Sequence, residues 1–135
     1  MRHLNVSACH SLKLYPVSIL KRFARIGSNV QMMNLESPID AEAVPGSLKV
    51  AESESDGLIK KKITYSRSRV SDSVADMLQR LTVIRLVAVY VDENGNTRVS
   101  GSPDYPLSLS YVMEGGGFSV TLEGIDTRHN GFLTA

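Results

Sequence analysis

The sequence predicts a mainly β protein of the α+β kind: an antiparallel β-sandwich or barrel of about seven strands with one flanking helix. Three observations lead to this prediction. Apolar and polar residues alternate in several short stretches, which is the pattern of half-buried strands. Glycine, proline and asparagine separate these stretches, and only one stretch, residues 71–82, has helical spacing. The 135 residues suit a single domain, residues 1–135, that buries its core without disulfides.

Three strands are expected in the first half of the chain, at residues 30–35, 47–52 and 58–67. In the longest of them, Lys60 and Lys62 fall on one face, whereas Lys61 and Tyr65 fall on the other. The sequence therefore places a run of positive charge on a strand.

Other parts of the first half are less regular. Residues 36–46 contain two prolines and a glycine, so we expect a long mobile loop there, within an acidic loop region that spans residues 36–56. We expect residues 1–11 to be disordered. Residues 15–26 stay open between a short helix and a strand, because Pro16 can begin a helix while the residues before it alternate like a strand.

Residues 71–82 form the one expected helix. Ser71, Asp72 and Ser73 offer capping oxygens at its start, and Ser73 with Asp76 fits a capping box. Apolar residues recur at positions i, i+3, i+4 and i+7, which gives the helix one apolar stripe that packs on the sheet. The stripe consists of Val74, Met77, Leu78 and Leu81.

The second half of the chain predicts a four-stranded antiparallel meander. Its strands are expected at residues 85–92, 97–101, 107–111 and 118–123. Asn94 and Gly95 mark a hairpin between the first two strands, since this pair readily adopts the positive φ of a tight turn. Residues 114–117 form a glycine turn before the last strand, and Pro106 lies at a strand start because it has no N–H to donate.

The net charge of +1 conceals four blocks of alternating sign. Residues 1–35 carry five basic residues and no acid, whereas residues 36–56 carry six acids and one lysine. Residues 57–70 again carry five basic residues, and the remainder carries eight acids and four arginines. Either neighbouring strands pair these charges at the surface, or opposite faces of the subunit carry opposite signs and steer self-association. A third alternative is nucleic-acid contact through the basic strip at residues 60–69.

No pattern in the sequence indicates catalysis or a metal. Cys9 is the only cysteine, which excludes a disulfide scaffold and a cysteine-rich zinc module, and no local signature supports a nucleophilic pair with His129. The turn that begins at Asp92 opens like a calcium loop, but Thr97 and Pro103 occupy its glycine and glutamate positions. We therefore expect no enzyme activity, no catalytic residue, no metal site and no cofactor.

A longer series of features, over residues 52–133, resembles a known group of proteins. An acidic ESESDG turn precedes the strand KKKITYSRS and a serine-capped helix. Next come LVAVYVDENGNTRVSGSPDYPLSLSY, the GGG turn and FSVTLEGIDTRHNGFL. This order resembles the small β-rich structural proteins of prophages and bacteriophages, of the tail or head–tail connector type. The resemblance implies a non-enzymatic subunit of a tail tube, tail completion or connector assembly.

The resemblance also implies partners and a location. Such subunits assemble into rings with copies of themselves or dock to other virion proteins, and in a tail tube they contact DNA in the lumen without reading its sequence. They take no small-molecule substrate. We expect the chain in the host cytoplasm during assembly and then in the virion, and its apolar runs are too short for a membrane span.

The residues expected to carry the interaction lie in the basic strand and the hairpin tip. We expect either the acidic region at 36–56 or this hairpin to reach a neighbouring subunit. The candidate residues are Lys60, Lys61, Lys62, Arg67, Arg69, Asn94 and Gly95. A second class stays open, a monomeric β-barrel module that binds a peptide, a glycan or single-stranded nucleic acid. Tyr65 with Arg67 and Arg69 would be its aromatic–basic cluster.

Overall fold

The structure is a computed structural model that describes residues 4–8, 10–68 and 71–134. In these ranges the chain forms twelve strands, one α-helix and a single 3-10 turn at Val17–Ile19. The helix is α1 (Asp72–Leu81). The strands are β1 (Leu4–Ala8), β2 (His10–Pro16), β3 (Leu20–Ile26), β4 (Asn29–Asn34), β5 (Ile39–Asp40), β6 (Lys49–Ser55), β7 (Leu58–Ser68), β8 (Leu86–Val91), β9 (Thr97–Ser100), β10 (Ser108–Glu114), β11 (Gly117–Asp126) and β12 (Gly131–Leu133).

These strands form two sheets. The five-stranded sheet has the order β1-β6-β7-β11-β10, and the seven-stranded sheet has the order β3-β4-β12-β9-β8-β2-β5. All neighbouring strands run antiparallel except β12 and β4, which are parallel. The prediction of a mainly β protein with one flanking helix is confirmed.

The seven-stranded sheet curls into a half-barrel. β2 ends at Pro16 and β3 begins at Leu20, yet the two strands lie five places apart in the sheet. Five strand spacings in a flat sheet measure about 24 Å, whereas four residues of extended chain reach at most about 14 Å. The short connection is therefore compatible only with a curved sheet.

Two apolar clusters lie on the two sides of this curved sheet. The larger one joins its convex side to the five-stranded sheet and to α1, and its fully buried members include Leu12, Leu86, Ile63 and Leu122. The smaller one lies on the concave side, where Val30, Val87, Val89 and Val99 meet Tyr15 and Phe23. Side chains from both ends of the sheet contact one another here only because the sheet curls.

The helix is capped by Ser71, two residues before Ser73, which is the first residue of the expected capping box. The hydroxyl of Ser71 accepts a hydrogen bond from the backbone N–H of Val74 at 3.3 Å. Asp76, the expected partner of Ser73, instead pairs with Arg80 one turn later. Leu78 and Leu81 of the predicted apolar stripe are buried in the larger core.

The expected four-stranded meander is wrong in one respect, since its two hairpins belong to different sheets. β8 and β9 lie in the seven-stranded sheet, and β10 and β11 lie in the five-stranded sheet. The chain changes sheets at residues 101–107, where Gly101 has a φ of +88° and Pro103 and Pro106 interrupt backbone pairing. Leu107 keeps one bridge to Leu86 of β8 across this crossing.

The first half of the chain contains more strand than the sequence predicted. The region at residues 36–56 is not a continuous loop, because it contains β5 and β6, and Val50 anchors β6 in the larger core. Residues 4–8 and 10–16 are strands, although residues 1–11 were expected to be disordered. The ambiguous residues 15–26 consist of the end of β2, the 3-10 turn and β3.

The β10–β11 hairpin leads to a prediction about its glycines. A Cβ atom on Gly117 would lie 2.5 Å from the backbone oxygen of Arg67 on β7, whereas a Cβ atom on Gly116 would meet nothing within 4 Å. We expect Gly117→Ala to lower the free energy of unfolding by about 1–3 kcal/mol, because β7 must shift to accommodate the methyl group. Gly116→Ala is the matched control, and urea denaturation measures both. Equal unfolding midpoints would contradict the close approach of β11 to β7.

Candidate functional site

The three consecutive lysines of β7 do not share one surface. Alternation along the strand exposes Lys60 and Lys62 on the outer face of the five-stranded sheet, as the faces predicted from sequence required. Lys61 points to the other side and is only 2% exposed. Substitution of all three lysines by glutamate would therefore disrupt the interior as well as the surface.

The outer face of the five-stranded sheet carries mainly hydroxyl groups around its exposed lysines, Lys49, Lys60 and Lys62. Residues directly opposite each other in antiparallel strands share a face, and here Lys62 faces Glu123, while Thr64 faces Thr121. Ser53, Lys60, Ser108 and Ile125 line the same groove, which has a volume of about 640 Å³. The groove is open to solvent, and more of its lining is apolar than polar, with Lys60, Lys62 and Glu123 as its exposed charges.

Lys61 forms a buried ion pair with Asp126 of β11. Its Nζ lies 3.3 Å from Asp126 Oδ2, and the side chains are 1% and 8% exposed. Burial lowers the pKa of Lys61, while the nearby carboxylates of Asp126 and Glu52 act in the opposite direction. Asp126 Oδ1 also accepts hydrogen bonds from the backbone N–H groups of Thr127 and Arg128. The pair therefore fixes the start of the connection from β11 to β12.

The end of the same connection is held by a second group of polar contacts. Glu52 Oε2 lies 2.7 Å from His129 Nδ1 and accepts a hydrogen bond from the backbone N–H of Asn130. The other imidazole nitrogen, Nε2, lies 3.6 Å from Glu54. Asn130 Nδ2 donates to the Tyr90 hydroxyl of β8 at 2.7 Å. These contacts join β6 of one sheet to β8 of the other.

Arg98 of β9 completes this junction between the sheets. Its Nη2 donates to the backbone oxygen of Asn130 at 2.6 Å, and its Nε donates to that of Gly131 at 3.2 Å. The guanidinium carbon lies 4.2 Å from the ring centroid of Phe132, and Nη1 lies 3.6 Å from Asp92. These contacts of Arg98 link β9 to the end of the β11–β12 connection and to β12.

Tyr65 and Arg67 also lie on the inner face of β7. Arg67 Nη2 pairs with Glu42 Oε2 at 2.7 Å, and Nη1 donates to the backbone oxygen of Ala41. Tyr65 is 3% exposed, and burial raises its pKa to about 12. The proposed aromatic–basic cluster therefore has no exposed ring on which a base could stack, and its third member, Arg69, lies outside the described residues.

Asn94 and Gly95 lie at an exposed hairpin tip, as expected, but the turn is longer than a two-residue turn. Val91 pairs with Thr97, and five residues connect them. Only Gly95 has positive φ, at +82°, and Asp92 Oδ1 accepts the backbone N–H groups of Asn94 and Asn96. This side-chain acceptor stabilises the longer loop, and it explains the acidic residue at the start of the turn.

The remaining chemical candidates are only partly covered by the described residues. Cys9 lies outside them, so its pairing with His129 lies outside them as well. Within residues 4–8, 10–68 and 71–134, no group of three or more His, Cys, Asp or Glu side chains is placed to hold a metal ion. No helix in these ranges is long and apolar enough to cross a membrane. The glycines at 115 and 116 form the hairpin loop between β10 and β11.

The sequence did not reveal the features that depend on strand order. Val112 and Met113 of β10 are 56% and 65% exposed, and β10 is the last strand of its sheet in the described residues. Alternation indicates which face a residue occupies, but it does not indicate whether its strand lies at an edge. The contact of Glu52 with His129 likewise could not be predicted from the sequence, because the two residues lie 77 positions apart in the chain.

Comparison with known proteins identifies no relative. No family model, curated protein or solved structure matches the chain. The arguments below therefore rest on the residues and on their geometry.

The buried ion pair leads to a prediction about its lysine. We expect Lys61→Met to lower the free energy of unfolding by about 3–5 kcal/mol, because Asp126 then stays buried without a counter-charge. Lys60→Met is the matched control on the exposed face, and its expected effect is within about 0.5 kcal/mol. Chemical denaturation at neutral pH measures both variants. Similar losses in the two variants would contradict the internal position of Lys61.

The pKa of Tyr65 leads to a prediction at alkaline pH. The pKa of Tyr65 in the folded chain, about 12, exceeds the ordinary tyrosine value of 10.0, so the contribution of Tyr65 to stability is complete below pH 10 and is lost as the pH rises through 12. The loss amounts to about 2–3 kcal/mol for such a shift. We expect Tyr65→Phe to lack this loss. Urea denaturation of the wild type and of Tyr65→Phe at each pH gives the difference between their free energies of unfolding, in which the effects of other titrating groups cancel. A difference that stays constant between pH 9 and 12 would refute the prediction.

Proposed function

We propose that the chain is a non-enzymatic structural subunit of a phage-like particle, of the tail tube, tail completion or connector type. It acts by self-association or by docking to other virion proteins. The observation that carries this proposal is β10, a seven-residue edge strand that leaves Val112 and Met113 exposed. Edge strands of monomeric proteins are usually short, or are protected by lysine, proline or a bulge. β10 has none of these features.

The resemblance over residues 52–133 supports the same proposal. This stretch supplies most of β6 and all of β7, β11 and β10, which are four of the five strands in the five-stranded sheet. The same stretch also supplies α1 and the strands β8, β9 and β12 of the other sheet, so the features that resemble phage structural proteins extend over both sheets and include the free edge β10.

The distribution of charge also supports a structural role. The buried Lys61 and Asp126 pair with each other, the partly buried Glu52 contacts His129, and among the described residues neither contact leaves an unpaired acid or base in a cavity. Enzyme sites instead gather unpaired titratable groups in a concave pocket. The outer face, with its hydroxyls and exposed Lys60 and Lys62, suits weak contact with a polyanion such as DNA, without sequence readout.

The test of this proposal is the association state of the purified chain. We expect sedimentation velocity to show species larger than the 14.7 kDa monomer, with populations that rise with protein concentration and fall when salt screens the charges. Mass photometry of the same samples counts the copies in each species. A chain that stays monomeric at all concentrations would contradict assembly by self-association and would favour the monomeric binding module.

A further inference from the structure

The two sheets end in two long edge strands that differ in charge. β3 is the outermost strand of the seven-stranded sheet, and β10 is the outermost strand of the five-stranded sheet. Each has seven residues, and in the described ranges each pairs with one neighbouring strand only. The opposite edges are shorter, since β1 has five residues and β5 has two. β3 and β10 are therefore the longest edges, and β3 carries a lysine and a register shift between Leu20 and Arg22, which disfavour its pairing with any strand that does not compensate its positive charge.

The side chains of β3 make it a basic edge. It contains Lys21, Arg22 and Arg25 and no acid. Lys21 and Arg22 are exposed, and neither takes part in an ion pair within the described residues. Two copies of β3 would bring like charges together, which disfavours pairing between identical β3 edges.

The side chains of β10 make it an acidic and partly apolar edge. It contains no basic residue and ends at Glu114, which is exposed and has no ion-pair partner among the described residues. Val112 and Met113 precede Glu114 and are largely exposed. A partner with positive charge on long aliphatic stems would satisfy Glu114 and cover these apolar side chains.

We propose that β3 of one copy pairs antiparallel with β10 of the next copy of the same chain. This inference rests on the proposed function and specifies its contact. Antiparallel alignment of the two seven-residue strands places Lys21 opposite Met113 and Arg22 opposite Val112, and Arg22 then lies diagonal to Glu114 on the same face. Each copy uses one edge as donor and the other as acceptor, so the contact is heterologous and builds a ring or a filament.

Charge reversal tests this contact in two variants. Glu114→Lys makes both edges basic, and Lys21→Glu with Arg22→Glu makes both edges acidic. We expect each variant alone to associate at least about tenfold more weakly than the wild type in sedimentation velocity, because like charges then meet at every contact. Mixing the two variants restores opposite charges at both kinds of contact, and we expect the mixture to assemble in alternating order.

The mixture also shows that the variants are folded, because misfolded chains would not assemble when combined. Lys60→Glu with Lys62→Glu is the matched control, since it reverses two exposed charges on the sheet face and leaves both edges unchanged. We expect this control to assemble like the wild type.

Each outcome separates this inference from the proposed function. If the wild type assembles and both edge variants assemble equally well, the β3–β10 contact is refuted while self-association stands. If the mixture stays monomeric, or if only the Lys60 and Lys62 control blocks assembly, the contact lies elsewhere. An assembly of two copies only would refute the heterologous pairing in favour of a β10–β10 dimer. A monomeric wild type would contradict both the inference and self-association.

Discussion

The short connection between β2 and β3 is the constraint on which the rest of the structure depends. Only a few residues connect β2 to β3, although the two strands lie five places apart in the seven-stranded sheet. The sheet curls as a result. Curling creates a concave side that holds its own small core and a convex side that packs against the five-stranded sheet. A flat sheet would expose Tyr15 and Phe23, whose burial each contributes to stability in proportion to the apolar area removed from water.

A second constraint acts where the two sheets meet. Apolar packing holds the sheets together without fixing their relative position, because the hydrophobic effect is not directional. Lys61 with Asp126, and Glu52 with His129, add directional contacts at both ends of the β11–β12 connection. The buried pair of Lys61 with Asp126 contributes little net stability relative to apolar residues of similar volume, and solvent screens the Glu52–His129 contact because the His129 side chain is 50% exposed. Their effect here is to specify one arrangement of the sheets.

The sequence predicted the local structure well, for identifiable physical reasons. Period-2 alternation in β7 placed Lys61 on the apolar side, and the burial of Lys61 follows from its apolar neighbours Ile59 and Ile63. The same pattern gave the helix and most strands of the second half. It did not give the sheet to which each hairpin belongs, because β9 and β10 have similar alternation and only the break around Pro103 and Pro106 separates them. Edge positions and the contacts of Glu52 depend on tertiary neighbours, and the alternation of apolar and polar residues carries no information about these neighbours.

The position of β12 has a consequence for biosynthesis. This three-residue strand lies between β4 and β9 in the interior of the seven-stranded sheet, so it supplies the only bridge that joins the β3–β4 hairpin to the remaining strands in the described residues. During translation, that hairpin stays unattached until residues 131–133 have left the ribosome. Such dependence on distant residues slows folding, and it delays the placement of the basic edge. A nascent chain therefore lacks the finished basic edge until its synthesis has passed residues 131–133.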